Sequence, residues 1–374
     1  MHPLIDGNLQ KKAKLYEYKK EILQYIEITI SSTYLILFYL SGLSQKAASF
    51  AARFSMPVAL FMYSLFIMPL FILLIPVSFF KEYVIEKRFG LSTQSISSWL
   101  LDQLKGFMLC LLLGYPVALL FFFFFIKFPG YWWAFGIAGL SLLQLFILII
   151  FPLLIFPLFF THKPLEDKEL VNMINKLFEK AGMRIRGVYS FNLSTKSKKE
   201  NAAIAGLWRT RRILISDTLL ERREKDEVLV VLAHELGHHI KRHMIKLTFC
   251  GLSTSCVLFY IVHRIFVLFP GFPHNFQKTL IIIPLFIIVL GAFAFPLRIL
   301  TNAYSRTRER EADAISIKMT GKREAFINLM AGLANSNLIV AYPKKYRVIL
   351  FHSHPPVGER IEFAETMNFS RCYK

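Results

Sequence analysis

Six apolar stretches, each long enough to cross a bilayer as a helix, constrain this chain more than any other feature. They run from about Ile26 to Leu43, Pro57 to Phe80, Gly106 to Ile126, Trp132 to Phe160, Leu247 to Phe269 and Leu280 to Leu300. A helix rises about 1.5 Å per residue and the hydrocarbon layer is about 30 Å thick, so about 20 residues make one crossing. In lipid every backbone N–H and C=O needs an internal partner, and helices supply it within each run. The expected fold class is therefore mainly α, a polytopic transmembrane helix bundle of six spans.

Charge is kept apart from these stretches. The formal net charge is +20, from 45 Lys and Arg against 25 Asp and Glu, although 55% of the residues are hydrophobic and 37 are Phe. Such a chain is a membrane protein with polar segments at the lipid surface. The basic residues crowd the N-terminal tail, segment 81–105 and segment 161–246, while segments 44–56, 127–131 and 270–279 carry few. The positive-inside rule then puts the N-terminus, segment 161–246 and the C-terminal tail in the cytoplasm, beneath a bacterial inner membrane or an endoplasmic reticulum membrane. The basic excess is assigned to loops and anionic lipid, so the bilayer is an expected partner and nucleic acid is not. Lys11, Lys12, Lys14, Lys19 and Lys20 form too long a basic region for a removable signal peptide. Cys110, Cys250, Cys256 and Cys372 show no disulfide framework. No Asp, Glu, Lys, Arg or His stands in the middle of a span, which weighs against ion or proton transport. Pro69, Pro76, Pro116, Pro152, Pro157, Pro284 and Pro296 lie in or near spans and are expected to kink them, leaving room for a cavity. Four regions follow: a membrane region 1–160 with four spans and the loop 81–105, a polar region 161–246, two spans in 247–300, and a polar region 301–374.

Chemistry is concentrated in the run Val228 to Ile240, which contains His234-Glu235-Leu236-Gly237-His238. On a helix His234 and His238 stand one turn apart and can reach one Zn²⁺, while Glu235 faces the open, water-bearing position as a general base. A third ligand is needed. A third His six residues beyond the second would fall at Met244, so the candidate is a carboxylate from a later helix. Glu309 supplies it, and Asp313, one turn on, can accept the free ring N–H of a ligating His. Glu311 projects from another face of that helix. His239 and His243 are also one turn apart but lack a Glu after His239, and they are read as interfacial polar residues. About eight residues, or about 12 Å of helix, separate His238 from Leu247, so the catalytic helix is expected to run straight into the fifth span.

These motifs resemble those of the type I CAAX prenyl proteases, integral-membrane zinc endopeptidases of the gluzincin type. The catalytic helix shares their Val-Leu-Ala-His-Glu-Leu-Gly-His sequence. The second helix matches the pattern Asn-x-x-Ser-Arg-x-x-Glu-x-x-Ala-Asp at Asn302, Ser305, Arg306, Glu309, Ala312 and Asp313. The loop from Tyr83 to Gln94 is similar to the signature of the family's N-terminal domain. Seven spans are usual there against the six counted here. The resemblance implies one Zn²⁺ per chain, with His234, His238 and Glu309 as ligands and Asn302 and Asp313 supporting them.

Two further segments extend the reading. Residues 201–207 and 212–217 read as short strands joined by Trp208 to Arg211. An edge strand near the metal can hold an extended peptide through main-chain hydrogen bonds, and the small side chains of Ala202, Ala203 and Ala205 allow close approach. The family uses the matching segment, here Asn201, Ala202, Ala203, Ile204, Ala205 and Gly206, to bind substrate. Its His-Pro…Glu-Arg stretch, matched by His354 and Arg360, contacts substrate and oxyanion. The whole is then a helix bundle with a small cytoplasmic α+β zinc-metalloprotease domain carrying a β-hairpin edge strand. The expected activity is endopeptidase cleavage by metal-activated water near the C-terminus of prenylated CAAX-type proteins or peptides. Its substrate is lipidated or membrane-proximal. Quality control of unlipidated membrane proteins would use the same residues, and a metal-binding transporter or scaffold is the remaining alternative.

Overall fold

Helices dominate the computed structural model, which describes residues 2–206, 211–268 and 276–367. Helix α1 (Gly7–Leu40) begins where the Asp6 carboxylate accepts the N–H groups of Asn8 and Leu9 at 2.7 and 3.0 Å, satisfying donors that a first turn leaves free. It extends well before the apolar stretch, and this polar half is anchored: the Tyr16 hydroxyl and Lys20 Nζ reach Glu86 at 2.5 and 2.6 Å. Short α2 (Leu43–Ala51) leads to α3 (Met56–Phe79), which passes through a π-helical turn, Phe80–Val84, into α4 (Ile85–Arg88). After α5 (Ile96–Lys127) and α6 (Trp132–Ile150) comes a second π-helical turn, Phe151–Ile155, and then α7 (Phe156–Phe159). Pro76 precedes the first irregular turn and Pro152 lies in the second. A ring without an N–H breaks the regular ladder at such places.

The polar region folds as a sheet with helices packed on it. Strand β1 (His162–Pro164), helix α8 (Lys168–Lys180), strands β2 (Gly187–Phe191), β3 (Ala202–Ala205) and β4 (Arg212–Ser216), and helices α9 (Asp217–Arg222) and α10 (Lys225–Ile240) follow in order. The sheet runs β1-β2-β4-β3, with β2 and β4 parallel and the outer pairs antiparallel, so β3 lies at an edge. The turn expected at Trp208 to Arg211 lies outside the described residues except for Arg211. Leu170, Ile174, Leu177 and Phe178 form one apolar stripe on α8 and pack with Ile213 and Ile215 of the sheet against Val228, Leu229, Leu232 and Leu236 of α10. Each of these large side chains, removed from water, contributes about 1.5–3 kcal/mol before ordering costs. α10 begins with a reciprocal cap between Glu224 and Glu227.

The catalytic helix does not run straight into the fifth span. α10 ends at Ile240, and α11 (His243–Val267) starts afresh after Arg242, which adopts a left-handed φ of 53°. Helix α12 (Phe276–Ile281) precedes α13 (Ile283–Thr320), a single rod of 38 residues. The sixth span and the segment bearing Glu309 are thus one element, and the boundary expected at residue 300 falls inside it. Helices α14 (Arg323–Ser336), α15 (Lys345–Phe351) and α16 (Val357–Thr366) close the chain, with Phe326, Met330, Val357 and Ile361 packed against Val230 and Ile317.

Six helices among the described residues are long and apolar enough to cross a membrane: those beginning at Gly7, Met56, Ile96, Trp132, His243 and Ile283. Their apolar windows are largely exposed, as a lipid-facing surface must be. Between them, Tyr63, Ser64, Phe121, Gly136, Phe259 and Phe286 line an apolar cavity of about 420 Å³.

Candidate metal centre

Two helices cross at a glycine to build the site. A side chain at Gly237 would meet Ala312 Cα at 3.2 Å and its carbonyl oxygen at 3.3 Å, so α10 and α13 touch backbone to backbone there. The buried Ser316 hydroxyl donates to the Val230 carbonyl at 2.7 Å and pins the same crossing further along. This contact sets the His pair of one helix against the carboxylates of the other.

Donor atoms of three residues converge. His234 Nε2 and His238 Nε2 are 3.1 Å apart. Glu309 Oε2 lies 3.3 Å from the first and Glu309 Oε1 lies 3.4 Å from the second. Ligands at about 2.0–2.1 Å from a tetrahedral ion stand about 3.3 Å from one another, so the two imidazole nitrogens and the Glu309 carboxylate have the spacing of a set that holds one divalent metal. They are the one such group of His, Cys, Asp or Glu found among the described residues. The chemistry of the donors agrees: lone pairs face lone pairs, and a cation at the centre resolves the conflict. The carboxylates around the site also favour positive charge there. Burial disfavours a charged His234, but Asp313 and Glu309 outweigh it and raise its pKa to about 9. Burial together with His234 lowers that of His238 to about 4.

The remaining candidates take different places. Asp313 Oδ1 lies 2.8 Å from His234 Nδ1, the ring nitrogen turned away from the cluster. Arg360 grips that same carboxylate with two N–H groups at 2.8 and 2.6 Å. Its fork is therefore engaged on Asp313, whereas the sequence reading had it facing an oxyanion; it still lines the cleft. His354 stands at the mouth, its side chain 62% exposed and its Nδ1 3.4 Å from Glu309. Glu235 borders the same cleft, and burial raises its pKa above the usual carboxylate range. Asn302 is buried on α13 two turns before Glu309, and its amide nitrogen makes no hydrogen bond to the cluster.

Around the metal cluster, a cavity of about 280 Å³ is lined by Asn201, Ala202, His234, Glu235, Glu309, His354 and Arg360, with Val230, Phe326 and Met330 behind them. Strand β3 forms one wall. Ser216 N–H donates to the Asn201 carbonyl at 2.9 Å, and Ala203 and Ala205 keep the same parity toward β4. By the alternation of an antiparallel ladder, the backbone groups of Ala202 and Ile204 face the open edge. A second, apolar cavity of about 490 Å³ begins at Asn201 and runs along Ala203, Ile204, Ala205 and Gly206, closed by Ile147, Leu148, Phe151 and Met244.

One contact to the His pair is not readable from the sequence. His243 is fully buried, not interfacial. Its Nδ1 lies 3.1 Å from His238 Nδ1, and its Nε2 lies 2.9 Å from Glu311 Oε2. His238 and His243 are five apart, a spacing that faces no common side of a continuous helix. Only the break at Arg242 brings them together.

Comparison with known proteins gives a consistent result. The model of peptidase family M48 matches residues 164–368, and that of the CAAX prenyl protease N-terminal region, described as five membrane helices, matches residues 1–161. The metalloprotease YhfN of Bacillus subtilis is 27% identical over 94% of this chain and 84% of its own length. CAAX prenyl protease 1 of Saccharomyces cerevisiae is 28% identical over 77% of this chain and 67% of its own. The crystal structure of Ste24p from S. mikatae superposes with a TM-score of 0.86 at 23% identity, covering 97% of this chain and 90% of that one.

Proposed function

The chain belongs to peptidase family M48, and from that premise we propose a membrane-embedded zinc endopeptidase that cuts prenylated, CAAX-type C-terminal peptides at the cytoplasmic face of the bilayer. One observation carries the reading: His234, His238 and Glu309 converge on a point beside Glu235, in a cleft with an open strand edge for a wall. Two imidazoles and one carboxylate with a fourth position free are the donor set of catalytic zinc.

When bound, the ion supplies Lewis-acid activation of water and of the scissile carbonyl. The chain's own residues do the rest. Glu235 takes the proton from the attacking water and hands it to the leaving amine. Ala202 and Ile204 offer the outward backbone groups of β3 to an extended peptide. His354, at the mouth, donates toward the oxygen on which negative charge develops. Arg360 holds Asp313 against His234 and so fixes that ring.

Support for a lipidated substrate comes from the apolar cavity beside β3. Its volume of about 490 Å³ falls within the range of about 300–1,000 Å³ common for ligand sites. A peptide lying along β3 would have its apolar attachment within reach of this space. Relatives such as that of S. cerevisiae are named as CAAX prenyl proteases, which agrees with such a substrate. Support for the cytoplasmic side comes from the basic excess of the segments that gather at the polar end of the bundle.

The test uses detergent-purified protein and two peptides of one sequence, one farnesylated and one not. Chelator should abolish hydrolysis and added zinc should restore it, with the farnesylated peptide cut faster. Chelator-insensitive cleavage would remove the metallopeptidase reading. Equal rates on the two peptides would favour quality control of unlipidated membrane-proximal segments.

A further inference from the structure

We propose that His243 is a positioning residue for the metal centre: it accepts the Nδ1–H of His238 and relays the contact to Glu311, fixing which nitrogen of His238 faces the metal and how its ring is held. This inference rests on the metal centre described above.

The geometry assigns the protons. His238 Nε2 faces the cluster, 3.1 Å from His234 Nε2 and 3.4 Å from Glu309 Oε1, so a metal ion requires that nitrogen bare. The ring proton then sits on Nδ1, where the available acceptor is His243 Nδ1 at 3.1 Å. That nitrogen can accept only if His243 carries its own proton on Nε2. Glu311, a carboxylate at 2.9 Å from Nε2, holds it there. Each of the three groups thus has one compatible state, read from the network of partners.

The other ligand has a parallel support. His234 Nδ1 meets Asp313 directly at 2.8 Å, and Arg360 holds Asp313. On the His238 side the carboxylate is Glu311, and Arg308 holds it at 2.8 Å. The two arrangements differ by one imidazole. His243 spans the extra distance.

The backbone is shaped to allow this. On a continuous helix, positions five apart would point roughly 140° from each other. Arg242, at φ 53°, takes a conformation that L side chains rarely adopt, and the chain restarts as α11 with His243 turned beneath His238. Backbone outliers of this sort persist where surrounding contacts hold them and cluster at functional sites. The burial of His243, with 0% of its surface exposed, excludes a role as a solvated surface histidine.

The test compares three variants of the full-length protein by zinc affinity, measured in competition with a chromogenic chelator, and by the visible spectrum of the cobalt-loaded form. His243→Leu fills the space but offers no acceptor, and should weaken zinc binding about 10- to 100-fold and shift the cobalt bands. His243→Asn places an acceptor oxygen near the position of Nδ1 and should restore most of the affinity. A purely structural role would not separate the two in this way. Glu311→Gln, at a partly exposed position, should give a smaller loss and carries the same test should His243→Leu fail to fold. Wild-type affinity in His243→Leu, or in Glu311→Gln if it stands in, would overturn the proposal, as would an Asn variant no better than Leu. Glu309→Ala is the separate control: unchanged zinc affinity there would remove the metal centre itself, whereas its loss alongside an intact His243→Leu overturns only the relay.

Discussion

Glu235 has a task that no neighbouring side chain can take over, because the other carboxylates at or beside the cleft are engaged: Glu309 faces the metal cluster, Arg360 holds Asp313 and Arg223 holds Glu200. Glu235→Gln keeps the size of the side chain and removes its capacity to accept a proton. Metal content should be unchanged while peptide hydrolysis falls about 10²- to 10⁴-fold, the range of a general acid–base group, as read by metal analysis beside a turnover assay. Retained activity would remove the general-base role. The candidate ligands were legible in the sequence for a simple reason. His234 and His238, like Glu309 and Asp313, are four apart, and one helical turn maps such pairs onto one face. The distances among His234, His238 and Glu309 agree with that mapping. His243 was not legible, since its contact with His238 exists only because Arg242 leaves the helical conformation. Neither was the commitment of Arg360 to Asp313, a contact between elements 47 positions apart in the chain.

Among the elements, the crossing of α10 and α13 sets the spacing of the ligands, and Gly237 sets the crossing. The atoms that a Cβ would meet there include the backbone of Ala312, which cannot swing aside as a long side chain can. Gly237→Ala should therefore push the helices apart by a few tenths of an ångström and cost about 1–3 kcal/mol by overpacking. The expected readouts are a lower Tm and weaker zinc binding together, and an unchanged Tm would show that the crossing is not tight. Strand β3 yields a second prediction from its parity. Ile204→Pro removes an outward N–H that is not part of the sheet, so zinc content should hold while KM for peptides rises. Ala203→Pro removes an N–H turned toward Leu214 of β4 and should instead loosen the sheet. Equal behaviour of the two variants would contradict the substrate-strand role. The β3–β4 pair was readable from two runs of strand-forming residues flanking a short connection. The parallel pairing of β2 with β4 was not, because it joins segments separated by a stretch with no local signal of strand order.

At the scale of the molecule, the polar segments that the apolar runs keep apart in sequence are drawn to one end of the bundle. Glu86 collects Tyr16, Lys20 and Lys199. Asp102 holds Lys196, and Arg347 meets Glu17. The metal centre lies at this end, and α11 and α13 run from it into the apolar bundle. The apolar cavity beside β3 therefore exists only in the assembled molecule, walled on one side by the sheet and on the other by the end of α6 and the start of α11. Leu148, on α6, lines it without touching the metal cluster, so Leu148→Trp can fill the space and leave the chemistry alone. If a prenyl chain lodges there, excluding two or three of its methylenes forfeits about 2 kcal/mol of burial, at about 0.8 kcal/mol each. That corresponds to a rise of about 10- to 50-fold in KM for a farnesylated peptide. The unlipidated twin should be cut as before, and zinc content should be unchanged. A variant that loses both peptides equally would show that the cavity shapes the cleft and holds no lipid, and one that loses neither would place the prenyl chain elsewhere in the bundle.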